Sequence, residues 1–240
     1  MVDVLGIYTE YLKEENALHK EKYIDYDGWF SASTAGSCFK KQLLRKENAK
    51  ETPFDDRVLR LLRLGTIVHE DIQKSISDNV ISSNIDYKIY MEHRITIPEL
   101  KVVGHLDIGI ADSDNNLKVS DIKTCAGYKW KMKFGRTPDK RGNPNYNMQL
   151  STYMLGLSKE LNPNSMEMSL LWYNKDTSAV REEFIDISWM KKAEHYWEDL
   201  NDRCEGATSE DLNPGMYGVP MENWECRYCG FKDIYCKGVN

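Results

Sequence analysis

Two aspartates and a lysine at strand-like spacing carry the clearest chemical signal in this sequence. Alternation through Val102 to Ala111 puts Val103, His105 and Asp107 on one face of a strand, with Val102, Leu106, Ile108 and Ile110 on the other. In the next segment Leu117, Val119, Asp121, Lys123 and Cys125 share a face, so Asp121 and Lys123 project side by side. The Asp112 to Asn116 run between them reads as a hairpin turn, which brings Asp107 beside the other two. Carboxylate oxygens that can ligate Mg²⁺, set next to a cation, suit phosphodiester hydrolysis, and such a group is costly to bury without a purpose. The plainer alternative is a solvated hairpin bearing a surface Asp–Lys pair.

The elements that would position these residues follow from periodicity. From Asp55 to about Ile81, Val58, Leu61, Leu62, Gly65, His69, Ile72 and Ile76 recur at steps of three and four, predicting a helix with one buried stripe that includes His69. A lone histidine on such a stripe is usually a satisfied core residue, and metal ligation is the sharper alternative. Tyr87 to Ile97 predicts a further strand. A long helix starts at Asn143, a candidate cap followed by Pro144, and runs to about Leu161. On it Gln149 and Tyr153 stand four apart and reach toward one sheet face. Strands at Met166 to Tyr173 and Val180 to Ile187, a helix from Ser188 to about Arg203 and a cysteine-rich tail complete the chain. Residues 3–22 read as a mostly polar helix with apolar Val4, Leu5, Tyr8, Tyr11, Leu12 and Leu18, packed on the core as an appendage. Helix, meander, helix and further strands predict an α/β fold, a mixed central sheet flanked by helices.

The tail holds Cys226, Cys229 and Cys236, and Cys38 lies far upstream. Four thiolates suit either a tetrahedral zinc site or an iron–sulfur cluster, and spacing alone does not choose between them. Cys125 reads as a small buried residue and Cys204 as incidental. Between the Lys123 strand and the Gln149 helix, Tyr128, Lys129, Trp130, Lys131, Lys133, Phe134 and Arg136, followed by Lys140 and Arg141, mix cations for phosphates with rings for unpaired bases. Lys40 and Lys41, with Arg45 and Lys46, form a second basic patch. A solvated basic loop is the plainer reading. No base-reading motif is present, so binding driven by the nucleic-acid backbone is expected.

At 240 residues the chain can bury one large core. A net charge of −6 excludes blanket attraction to nucleic acid and leaves recognition to local patches. No stretch approaches the roughly 20 apolar residues of a membrane-spanning helix, and no export signal is evident, so a cytoplasmic protein with reduced thiols and no membrane contact is expected.

In chain order, Gly-x-x-x-His (65–69), Gly-His-Leu-Asp (104–107), Asp-Ile-Lys (121–123) and Gln-x-x-x-Tyr (149–153) match the ordered motifs of RecB-like PD-(D/E)XK nucleases. With one cysteine before the motifs and three after, the chain resembles the single-domain RecB-like exonucleases of CRISPR loci and phages and the nuclease domains of AddB-type enzymes. The resemblance covers residues 30–240 as one nuclease domain closed by Cys38 with 226–236, and leaves residues 1–29 as a helical appendage. It implies a metal-dependent DNA exonuclease acting on single strands or DNA ends in recombination, repair, phage DNA metabolism or CRISPR-type processing. Protein partners in recombination or CRISPR adaptation are implied too, in a bacterial, archaeal or phage-infected cell. In that scheme Asp107, Asp121, the Ile122 carbonyl and His69 hold Mg²⁺ or Mn²⁺, Lys123 activates water, Gln149 and Tyr153 position the strand or the lysine, and Cys38, Cys226, Cys229 and Cys236 hold a 4Fe-4S cluster. Asp121 stands where glutamate is commoner in the family, and the Cys229–Cys236 interval is one residue longer than usual. The rival readings are a non-catalytic DNA-binding adaptor and a zinc-stabilised endonuclease.

Overall fold

A computed structural model describes residues 2–21, 28–83, 85–138, 142–213, 225–226 and 228–236. In chain order the elements are α1 (Val4–Glu21), β1 (Phe30–Ser31), α2 (Phe39–Lys46), α3 (Asp56–Ser82), β2 (Lys88–Ile97), β3 (Val102–Ala111), β4 (Asn116–Cys125), α4 (Gly127–Phe134), α5 (Pro144–Leu161), β5 (Ser165–Asn174), β6 (Val180–Ile185), α6 (Trp189–Cys204) and the short α7 (Lys232–Tyr235). The sheet runs β1-β3-β4-β5-β6, with β2 also paired to β3. It is mixed: β1/β3 and β4/β5 are parallel, whereas β2/β3, β3/β4 and β5/β6 are antiparallel. A mixed sheet flanked by helices is therefore what the sequence pattern predicts and what forms.

Strand β3 is central, and both its faces are largely buried, which is why its sequence is apolar at most positions. Gly104 lets it come close to its neighbours: a Cβ there would stand 2.7 Å from Ala32 Cβ and 3.1 Å from Tyr153. Helix α5 lies between the sheet and α6, and Met148 to Leu157 is buried almost throughout, apart from the half-buried Gln149. Burying each of its large apolar side chains contributes roughly 1.5–3 kcal/mol. Its first turn is set by Pro144, while the Asn143 side chain, predicted to cap it, makes no such hydrogen bond.

Helix α3 forms over the predicted span, and Asp55 caps it by accepting from the Val58 amide at 2.8 Å. Its stripe is only partly covered. Leu59 alone is fully buried, and Leu61 and Leu62 are exposed, because the 27-residue helix overhangs the sheet and packs mainly on α1 and parts of β3 and β4. Helix α1 packs on α3 and buries Leu12 while Val4, Leu5, Tyr8, Tyr11 and Leu18 stay exposed. Helices α2 and α4 have no counterpart in the predicted elements. Among the described residues no helix is long and apolar enough to cross a membrane.

A buried polar network ties α2 to α6 just ahead of Cys38. Gln42 Nε2 donates to the Thr34 carbonyl (2.7 Å) and to Tyr196 Oη (2.9 Å), Thr34 Oγ1 donates to Gln42 Oε1 (2.6 Å), and Tyr196 Oη donates to the Ser37 carbonyl (2.9 Å). The C-terminal segment is tied on by the Thr52 amide donating to the Gly230 carbonyl at 2.9 Å and the Lys50 amide donating to Tyr235 Oη at 3.2 Å.

Candidate active site

The β3/β4 hairpin pairs from Ala111↔Leu117 to Ile108↔Ser120 and then splays. The next two residues in that register are Asp107 and Asp121, so both aspartates stand where the ladder opens. The Ile122 amide, released from pairing with β3, donates to Asp107 Oδ2 at 2.7 Å. Asp121 is buried to 1% exposure, and neither of its oxygens accepts a directed hydrogen bond, although Lys123 Nζ lies 2.5 Å from Oδ2 as an ion pair. Lys123 Nζ also donates to Gln149 Oε1 (2.9 Å) and sits 4.7 Å from the centre of the Tyr146 ring. Gln149 Nε2 in turn donates to Tyr153 Oη at 2.9 Å, which fixes the amide. The i,i+4 pair read from the sequence thus forms a relay ending on the lysine.

His69 approaches from α3, with Nδ1 3.4 Å from Asp107 Oδ2 and a hydrogen bond to the Ile122 main chain. It belongs to the site and is only half-buried, not a core residue. Burial pushes its proton affinity down, with Lys123 adding and Asp121 opposing, so the ring is neutral at pH 7. Burial and the Asp121 charge hold Asp107 well above the usual carboxylate range, against the pull of Lys123. For Lys123, burial works against the ammonium, but Asp121 and Asp107 outweigh it and the net shift is upward. A buried carboxylate faced by Lys123, beside a second one whose proton affinity is raised by burial and by the first, describes a site short of positive charge. A divalent cation fits that donor set, because hard oxygen ligands would be satisfied and the repulsion relieved.

The basic segment after β4 is a helix, and its residues divide. Tyr128, Lys131 and Arg136 are exposed. Trp130 and Phe134 pack edge to face at 4.8 Å against the core, and Phe134 meets Trp172. Lys129 Nζ donates to Tyr146 Oη at 3.1 Å and lies over the Tyr146 and Trp172 rings. Lys133 Nζ is paired with Glu183 at 2.8 Å. Where stacking and phosphate contact are predicted, Phe134 and Lys133 are instead turned onto Trp172, and Trp130 packs on Phe134. Lys40 is likewise buried and donates to the Leu212 carbonyl at 3.1 Å, which removes it from the predicted surface patch. Lys41 is half-buried, and burial and Arg45 lower its proton affinity. Lys140 and Arg141 lie outside the described residues.

The four thiols named from the sequence come within electrostatic reach of one another. Burial raises the Cys226 thiol, and Cys38 and Cys229 add to it; burial also raises Cys236, where Lys40 opposes and Cys229, Cys38 and Cys226 reinforce. Among the described residues no three His, Cys, Asp or Glu side chains are closed into a ready metal-holding group. Cys125 and Cys204 are buried elsewhere in the core. Sequence reasoning missed Tyr146, Gln73 and Glu92; Gln73 was signalled by its place one turn after His69 on the same helix face.

A profile of the PD-(D/E)XK nuclease superfamily matches residues 39–237. The chain belongs to this superfamily. Members generally use Mg²⁺ or Mn²⁺, and the Asp107–Asp121–Lys123 arrangement lies within the matched span. Among curated protein sequences no significant match is found. Solved structures share the fold. SSO0001 superposes with a TM-score of 0.53 at 18% identity, covering 99% of this chain and 100% of that one. LHK-Exo, an alkaline exonuclease from Laribacter hongkongensis, gives 0.51 at 13% identity over 78% of this chain and 93% of its own. LHK-Exo in complex with dAMP gives 0.52 at the same identity and coverage.

Proposed function

We propose that this protein is a Mg²⁺- or Mn²⁺-dependent deoxyribonuclease, an exonuclease acting on single strands or DNA ends. The observation that carries this reading is the opening of the β3/β4 ladder at Asp107 and Asp121, with Lys123 held between Asp121 and Gln149. Asp107, Asp121, the Ile122 carbonyl and His69 would hold one or two cations, which supply Lewis-acid activation of water and neutralise phosphate charge. The neutral His69 ring has a nitrogen lone pair to offer. Lys123, held as the ammonium, orients the attacking water and stabilises charge on the phosphorane-like transition state. Gln149, pinned by Tyr153, keeps the ammonium aimed. Tyr128 and Lys131 on α4 and Arg136 just after it, all exposed, suit contact with the strand being cut.

The exonuclease reading is supported by the motif order and by the fold shared with an alkaline exonuclease, also solved with dAMP, a mononucleotide of the kind exonucleolytic cleavage releases. The donor set and mutual reach of Cys38, Cys226, Cys229 and Cys236 support a structural 4Fe-4S cluster, with zinc as the alternative. It would join the start of residues 30–240, read as one nuclease domain, to their end.

The test is anaerobic purification followed by incubation of end-labelled single-stranded and duplex DNA with Mn²⁺, Mg²⁺ or EDTA, beside Lys123→Ala and Asp107→Ala. Metal-dependent shortening from the ends, lost in both variants, is expected. Wild type that binds DNA but leaves it intact in every metal would replace the enzyme by an adaptor on the same scaffold.

A further inference from the structure

Strand β2 leaves extended backbone at one interior residue. Glu92 has φ +47°, a left-handed conformation disfavoured for a side chain of its size. The β2/β3 ladder runs from Lys88↔Ala111 to Ile97↔Val102 and skips a single rung, Glu92 opposite Asp107. On the other flank the β3/β4 ladder has already stopped at Ile108↔Ser120. Asp107 is thus the residue of β3 at which pairing fails on both sides. Gln73, one turn beyond His69, fills the gap: its Nε2 donates to the Asp107 carbonyl at 2.9 Å and to Glu92 Oε1 at 2.7 Å. The Glu92 charge reaches both His69 and Asp107. A strained backbone that sets an exposed carboxylate, held by Gln73, within electrostatic reach of His69 and Asp107 points to a use for that carboxylate.

We propose that Glu92 supplies a third carboxylate to the divalent cation held by Asp107 and Asp121, directly or through a bound water, and that Gln73 is the positioning residue that holds it there. This rests on the nuclease reading. Hard divalent cations take such oxygen donors readily. The unshared oxygen of Glu92 accepts no other hydrogen bond among the described residues, so it is available to the ion or its water.

The test is Mn²⁺ affinity of the full chain, read from the electron paramagnetic resonance signal of free Mn²⁺, together with thermal unfolding in EDTA. Glu92→Gln and Gln73→Ala should weaken binding on the order of ten-fold or more. Glu92→Gly should weaken it equally while unfolding at the same or a higher temperature, because glycine adopts the left-handed backbone freely. A residue kept for structure alone would lose stability and leave Mn²⁺ affinity unmoved. Wild-type affinity in both Glu92 variants, with binding lost in Asp107→Asn, overturns the proposal and leaves the nuclease reading standing. A wild-type chain that binds no Mn²⁺ overturns both.

Discussion

Replacing Lys123 with methionine keeps the length of the side chain and removes the cation paired with the buried Asp121 carboxylate. Asp121 is 1% exposed, and the Lys123 side chain is 15% exposed at 2.5 Å, so water substitutes poorly for the ammonium. Stripping one partner from such a pair costs about 3–5 kcal/mol. For a chain of this size each kcal/mol moves the melting temperature by about 2–4 °C, so the variant should melt on the order of 10 °C lower in EDTA. The pH dependence has a definite sign. Asp121 and Asp107 raise the proton affinity of Lys123 against burial, so in the wild type the pair holds through neutral pH and weakens only above the ordinary lysine range. In the variant Asp107 loses the downward pull of Lys123 and its proton affinity rises further, so protonation there relieves the buried charge and the deficit should shrink as pH falls toward about 5. Mn²⁺ at about 100 times its Kd adds about 2.7 kcal/mol and should restore the variant at least as much as it stabilises the wild type. Differential scanning fluorimetry in EDTA and in Mn²⁺, at pH 7 and pH 5, checks all of this. A variant that melts within about 2 °C of wild type in EDTA at pH 7 would refute the claim that the ammonium compensates Asp121.

Gln149→Leu removes the acceptor that holds Lys123 at 2.9 Å, so kcat should fall on the order of ten-fold or more with KM little changed, as steady-state cleavage of end-labelled DNA would show; an unchanged kcat would remove Gln149 from the relay. Burial pushes the Cys204 thiol up to about 11 and raises Cys125 as well, so both should resist iodoacetamide at pH 7.5 in the folded protein and react after denaturation, as read by peptide mass spectrometry. Alkylation of native Cys204 at a free-thiol rate would contradict that burial.

Most of the architecture is local in origin, which is why it was legible. Every predicted strand and long helix forms within a few residues of its predicted span, because alternation in β3 and β4 and the steps of three and four in α3 are short-range properties of the chain. Asp107, Asp121, Lys123, Gln149 and Tyr153 could be named for the same reason, since each sits at a fixed phase of its own element. The α3 stripe was over-read because periodicity says which residues share a face and not how far the covering sheet extends. Lys40, Trp130 and Lys133 were misplaced for a related reason: composition shows a basic aromatic segment, and only packing decides which side chains face Trp172, Glu183 or Leu212 and which face solvent.

The sequence by itself determined the strand and helix periods, the residue types able to bind a cation, and the order in which they occur. Tertiary structure alone decided where the β3/β4 ladder opens, that the stripe of α3 brings His69 to Asp107, that Gln73 and Glu92 join them, and that Cys38 comes near the tail. The reason is physical: period and side-chain chemistry belong to residues a few positions apart, whereas a splayed ladder and a converging charge cluster are set by contacts across tens to hundreds of residues.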